Sequence, residues 1–356
     1  IDSVGITGSG SRLYFSDKVG EYISGNGTDL TITSGNDIVL AVGSAGSAYC
    51  AGIAGSNNTI FGLNAGDGLV SGADGNVAFG EDALSGTMTD AADSNTAVGY
   101  QAGLTLTSGD SNTLVGSGAG GQLTSGTHNA FFGRNVGGNH TTGIRNTALG
   151  TYSMNDTGAG STSADSDDNT FVGYFAGGGT WSNSNKSEFN VGIGNNAMAG
   201  VMNGALNNVA VGYQAGLTMT SADGCTLVGS DAGKLIEDGG YNTIIGNGAS
   251  PAVVSGENNT VVGYIAGYTM NSGDLNTVIG RYAGSVLTEG EKNTVIGANT
   301  ILSANDVDRE IVIGFEAVGQ GTNTVTLGDD NVTAVYMAED SGATVYCGKT
   351  HAEVTT

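Results

Sequence analysis

The sequence predicts an all-β fold, a parallel β-solenoid of about 17 residues per coil. Three observations predict it. Glycine is dense, at 64 of 356 residues, beside a single proline, Pro251. Apolar residues nevertheless make up 38% of the chain, and β-branched residues are plentiful. A five-residue motif, N-T-x-h-G with h bulky and apolar, returns at a nearly fixed step. Glycine at this density without a G-X-Y triplet excludes collagen. The apolar content excludes low-complexity disorder. A β architecture with frequent tight turns is left.

The motif sets the element order. It reads Asn58-Thr59-Ile60-Phe61-Gly62, then Asn95 to Gly99, Asn112 to Gly116, Asn169 to Gly173, Asn242 to Gly246, Asn259 to Gly263, Asn276 to Gly280 and Asn293 to Gly297. Looser copies fill the intervals. From Gly212 to Gly314 every anchor glycine follows the last by 17 residues. Numbering a unit from its Asn, positions 1–5 predict a strand ending at a glycine bend. A small residue stands at position 8, as in Ala102, Ala119 and Ala266. An apolar residue returns at position 12, as in Leu106, Leu123 and Met270, and predicts a second short strand. A turn glycine follows at position 15, as in Gly109, Gly126 and Gly273.

Two short strands cannot bury a core alone. Equivalent strands of successive units must stack into parallel sheets with continuous apolar columns. The asparagines then stack as a ladder of amides along the axis. The chain divides into an N-terminal β-rich connector (1–55), the solenoid proper (56–300), and degenerate final coils with a C-terminal β junction (301–356).

Positions 3 and 4 are both apolar, as in Ile244–Ile245, Val261–Val262 and Val278–Ile279. Adjacent strand residues face opposite sides. One column fills the interior, and the other needs a cover from outside. Copies of the same chain around a three-fold axis supply it most simply. The expected assembly is an intertwined homotrimer, with Ile244-type positions at the interface.

Charge and motifs narrow the function. Against 34 acidic residues there are 10 basic ones, a net charge of −24. Nucleic-acid binding needs cations to neutralise phosphates, so it is excluded. No stretch approaches the ~18 apolar residues of a membrane-spanning helix, so membrane insertion is not expected. Cys50, Cys225 and Cys347 lie far apart with no metal-ligand spacing, and read as free thiols in apolar roles. His128, His140 and His351 are scattered and read as surface or loop residues. No nucleophile elbow or phosphate loop occurs, so an enzyme is not expected. A glycan depolymerase needs a carboxylate pair across a groove, and none stands out.

Two places remain for binding. Asp165, Asp167 and Asp168, in S-T-S-A-D-S-D-D-N, form a candidate Ca²⁺ site, and Asp329–Asp330 a second acidic pair. The long steps Gly150–Gly173 and Gly173–Gly194 insert segments at coil edges. The second insertion holds the only tryptophan. Trp181, Asn183, Asn185 and Lys186 are the candidate receptor or glycan surface, because loops on a rigid scaffold often carry binding.

The units N-T-A-V-G-Y-Q-A-G (95–103), N-V-A-V-G-Y-Q-A-G (208–216) and N-T-V-V-G-Y-I-A-G (259–267) resemble the repeats of phage tail fibres. They are more distantly similar to the shorter repeats of trimeric autotransporter adhesin heads. The N-terminal segment 20–40 looks like the lead-in of tail-fibre proteins. Segment 322–336 looks like the stretch that precedes an endosialidase-type intramolecular chaperone. The resemblance implies an intertwined trimer, an extracellular place on a virion, other tail proteins as partners, and attachment to a host-surface glycan or receptor. It also implies a self-cleaving chaperone, which would follow Thr356. A bacterial surface adhesin or extracellular filament is the alternative.

Overall fold

A computed structural model describes strand residues 22–25, 30–33, 38–41 and 47–50, together with residues 55–89, 92–157, 166–181 and 185–335. Among them there is no helix. In the connector, β1 (Tyr22–Gly25) pairs antiparallel with β2 (Leu30–Thr33), and β3 (Ile38–Ala41) with β4 (Ser47–Cys50). The other strands, β5 (Thr59–Phe61) to β20 (Val325–Leu327), form one 16-stranded sheet in unbroken chain order. Every neighbour is parallel and in register, as in Thr243↔Thr260, Ile244↔Val261 and Ile245↔Val262. The degenerate coils beyond residue 300 continue this sheet. At about 4.8 Å per strand the sheet is roughly 75 Å long.

Among the described residues each coil has one strand of three residues, not the two expected. Coil 259–275 shows why. Ile265, Gly267 and Leu275 stand at φ +56°, +58° and +57°. Left-handed residues at positions 7, 9 and 17 fold the rest of the coil into turns. This conformation costs a side-chain-bearing residue about 1–2 kcal/mol. It aims the backbone at the neighbouring coils. The N–H groups of Ile265 and Leu275 donate to Asn247 O and Glu257 O in the coil before, each at 3.0 Å. That of Gly267 donates to Ala283 O in the coil after, at 2.9 Å.

Three columns fill the interior. Val261, Ala266 and Met270, at positions 3, 8 and 12, are fully buried, as are their equivalents in most coils. The fourth column is the asparagine ladder. Asn112 is typical. Its backbone N–H and its Nδ2 both donate to Asn95 Oδ1, each at 3.0 Å, and Nδ2 also donates to Gly126 O at 2.8 Å. A buried amide must find such partners, and each coil supplies them for the next.

The ladder has two substitutions. Glu310 ends it. Its N–H still donates to Asn293 Oδ1 at 2.9 Å, but its buried carboxylate accepts from Ser303 N (2.9 Å), Ser303 Oγ (3.0 Å) and Gly321 N (2.6 Å). Cys225 interrupts it. Its N–H donates to Asn208 Oδ1 at 2.8 Å and its thiol points to Gly239 O at 3.3 Å, mimicking the amide. It is therefore a ladder rung and not merely an apolar filler. Burial pushes its pKa up to about 11, so the thiol stays protonated at neutral pH. The thiol offers Asn242 no amide oxygen. Cys225→Asn restores the rung and is expected to stabilise the chain by about 1 kcal/mol. The check is the urea midpoint, which must rise; a fall would mean the interior cannot take the amide.

Candidate functional site

Of the candidate receptor surface, the structure places Trp181 in the interior. That residue is 0% exposed. Its indole N–H donates to Gly177 O at 3.1 Å, and its ring meets Phe171 edge-on with centroids 5.9 Å apart. The cause lies one coil on. Position 3 is there Gly192, and a Cβ on it would meet Phe171 Cδ1 at 2.5 Å. The missing side chain admits Phe171, and Trp181 packs against it. Asn183 lies outside the described residues. Asn185 is exposed, and its backbone N–H donates to Asn203 Oδ1 at 3.1 Å. Lys186 is exposed and lies 3.6 Å from Glu188 and 4.0 Å from Asp167.

Two of the candidate Ca²⁺ carboxylates, Asp167 and Asp168, face protein donors. Asp165 lies outside the described residues. Asp167 Oδ1 accepts Ile144 N–H at 2.7 Å. Asp168 takes a two-pronged hydrogen bond from Arg145, at 2.6 and 2.8 Å. That bond holds the Asp168 carboxyl below its ordinary pKa and the guanidinium above its own. Asp329 accepts from the backbone N–H and the side-chain amide of Asn331, which lower its pKa. Among the described residues no three His, Cys, Asp or Glu side chains group as metal ligands.

His140 is a second correction. It occupies interior position 12 and is fully buried, not a surface residue. Nδ1 lies 2.9 Å from Thr157 Oγ1, and Nε2 lies 3.2 Å from Asn146 Nδ2. The amide donates to Nε2, which leaves Nδ1 to carry the proton. Spacing alone could have found it, since His140 follows Asn129 by the same eleven residues that separate Met270 from Asn259.

The largest feature is the outer face of the sheet. Of the paired apolar columns, position 3 faces in and position 4 faces out: Ile244 is 0% exposed and Ile245 37%. The column open to a partner is therefore that of Ile245, and the expectation that Ile244-type positions form the interface is corrected: they are interior. Position 2, usually Thr, faces the same way. Across all sixteen strands, no residue at position 2 or 4 is charged. Phe61 and Phe79 stack on this face at 4.9 Å. The tyrosines after the anchor glycine, Tyr100, Tyr174, Tyr213 and Tyr264, stand exposed at the adjoining corner. There Arg281 lies over the Tyr282 ring at 4.5 Å, and Tyr282 meets Tyr264 edge-on.

No protein-family profile, curated protein or solved structure matches this chain.

Proposed function

We propose that the chain is a structural segment of an extracellular fibre, in which three copies pack through their strand faces. A phage tail fibre, joined to other tail proteins and attaching to a host-surface glycan or receptor, is the reading we favour. A bacterial adhesin or filament subunit is the alternative. The role is mechanical and multivalent rather than catalytic. One observation carries the reading: an uncharged Thr/apolar face runs the length of the solenoid in a chain whose net charge is −24. The net negative charge opposes association of two such chains through their charged surfaces. The face measures roughly 75 by 10 Å, close to the ~800 Å² that each partner gives to a standard interface. Its position-4 column is an unbroken apolar stripe, and monomeric proteins rarely leave large contiguous apolar surface uncovered.

Light scattering tests this. The expected mass is close to three times 35.2 kDa, in an assembly that resists SDS until heated. Replacing Ile245 and Ile279 together by Glu is expected to yield single chains. A wild-type mass of one chain would overturn the trimer.

A further inference from the structure

Positions 7, 10 and 11 lie beyond the anchor bend, away from the strand face. At the chain's only proline these positions become small: coil 242–258 has Gly248, Pro251 and Ala252 there. The coil before carries Asp231 and Lys234, and the coil after carries Tyr268. The result is a notch of about 640 Å³. Its floor is small and apolar, and it is about two coil spacings, or ~10 Å, across.

Its walls differ in chemistry. Tyr268 is half exposed. Opposite, Lys234 Nζ lies 3.2 Å from the buried Asp231 Oδ1, which leaves the second carboxylate oxygen, Oδ2, to face the notch while accepting from Ser230 Oγ at 3.2 Å. The wall offers donor and acceptor capacity with no net charge. An anion would meet a chain of net charge −24. A cation would find the only carboxylate of this wall already facing an ammonium. A purely apolar occupant would strip water from both charges and return nothing.

We infer that the notch binds an uncharged pyranose. The C–H face of the ring lies on Tyr268 and the floor, and its hydroxyls bridge Lys234 Nζ and Asp231 Oδ2. The volume falls in the range of ordinary ligand sites. Binding by one chain needs nothing else. Only the tripling of the site, and the avidity that follows, rests on the trimeric reading above.

Saturation-transfer NMR on the intact chain tests the inference, using the methyl glycosides of glucose, galactose, mannose and N-acetylglucosamine. Transfer to the ring C–H protons of at least one is expected. Tyr268→Ala should weaken that binding about tenfold, the loss of one aromatic contact. Ala252→Leu should abolish it with the melting temperature unchanged, because the preceding coil already carries Leu235 at that position. No transfer to any glycoside, or equal signal from both variants, would overturn the inference. A three-chain mass without sugar binding removes the notch alone; sugar binding by a single chain removes the trimer alone.

Discussion

Gly246→Ala is expected to destabilise the solenoid by about 3–5 kcal/mol, from backbone strain and overpacking together. Gly246 stands at φ +140°, where side-chain-bearing residues do not settle, and a Cβ would lie 2.3 Å from Gly263 O and 2.7 Å from its carbonyl carbon. Those atoms cannot retreat, because Gly263 N–H is bonded to Ile245 O at 2.8 Å. The same approach recurs along the column: Gly229 meets Gly246 O at 2.4 Å, and Gly280 meets Gly297 O at 2.4 Å. A solenoid is coupled only to nearest neighbours. The break should therefore uncouple the coils on either side and split one urea transition into two. Gly321→Ala separates the causes. That residue has φ +123°, and a Cβ on it would meet no atom within 4 Å, so it bears strain without collision. It should cost about 1 kcal/mol. Wild-type unfolding of Gly246→Ala would mean that the column does not hold the coils at this spacing.

The period is legible in the sequence because stacking imposes it. Every coil must place its asparagine, its anchor glycine and its three interior residues directly against those of the next, so 17-residue spacing and identity at those positions are enforced together. What position 4 faces is less legible: alternation separates Ile244 from Ile245 without saying which is inside, and the expected interface at Ile244 falls on the interior column. The turn-rich remainder is hidden for a different reason. Ile265 and Leu275 are not residues that announce a left-handed conformation. Their cost is met by hydrogen bonds to other coils, which local propensity does not record. Trp181 is the plainest failure of local reading. Its Ser/Asn-rich neighbourhood suggests a surface loop, and its burial depends on Phe171 and on the space left by Gly192. Asp168 likewise reads as a free carboxylate until Arg145, one coil away, is placed beside it.

Asn259→Ala is expected to cost about 3–5 kcal/mol, because each buried group left without a partner costs about 1–3 kcal/mol. Asn259 Oδ1 accepts the backbone N–H of Asn276 at 2.9 Å and its Nδ2 at 3.2 Å, while Asn259 Nδ2 donates to Asn242 Oδ1 at 3.1 Å and to Gly273 O at 2.8 Å. Alanine strands the Asn276 N–H and the Gly273 carbonyl in an interior that is not open to water. Asn259→Asp should be worse than its near-identical shape suggests. The carboxylate still accepts from Asn276, but it sets oxygen against the oxygens of Asn242 and Gly273. Asn305→Ala is the control: its side chain is exposed and bonds only Thr288 Oγ1, at 3.1 Å, so a change within about 0.5 kcal/mol is expected. Urea midpoints of the three variants should fall in the order Asn305→Ala, Asn259→Ala, Asn259→Asp. If Asn259→Ala matched the control, the ladder would be a consequence of stacking and not a cause of it. The ladder's polarity favours cause. Each rung donates toward the N-terminal coil and accepts from the C-terminal one, so neighbouring bonds polarise each other in one direction. The column closes at Glu310, whose carboxylate can only accept, and which takes its donors from Ser303 and Gly321 rather than from another rung.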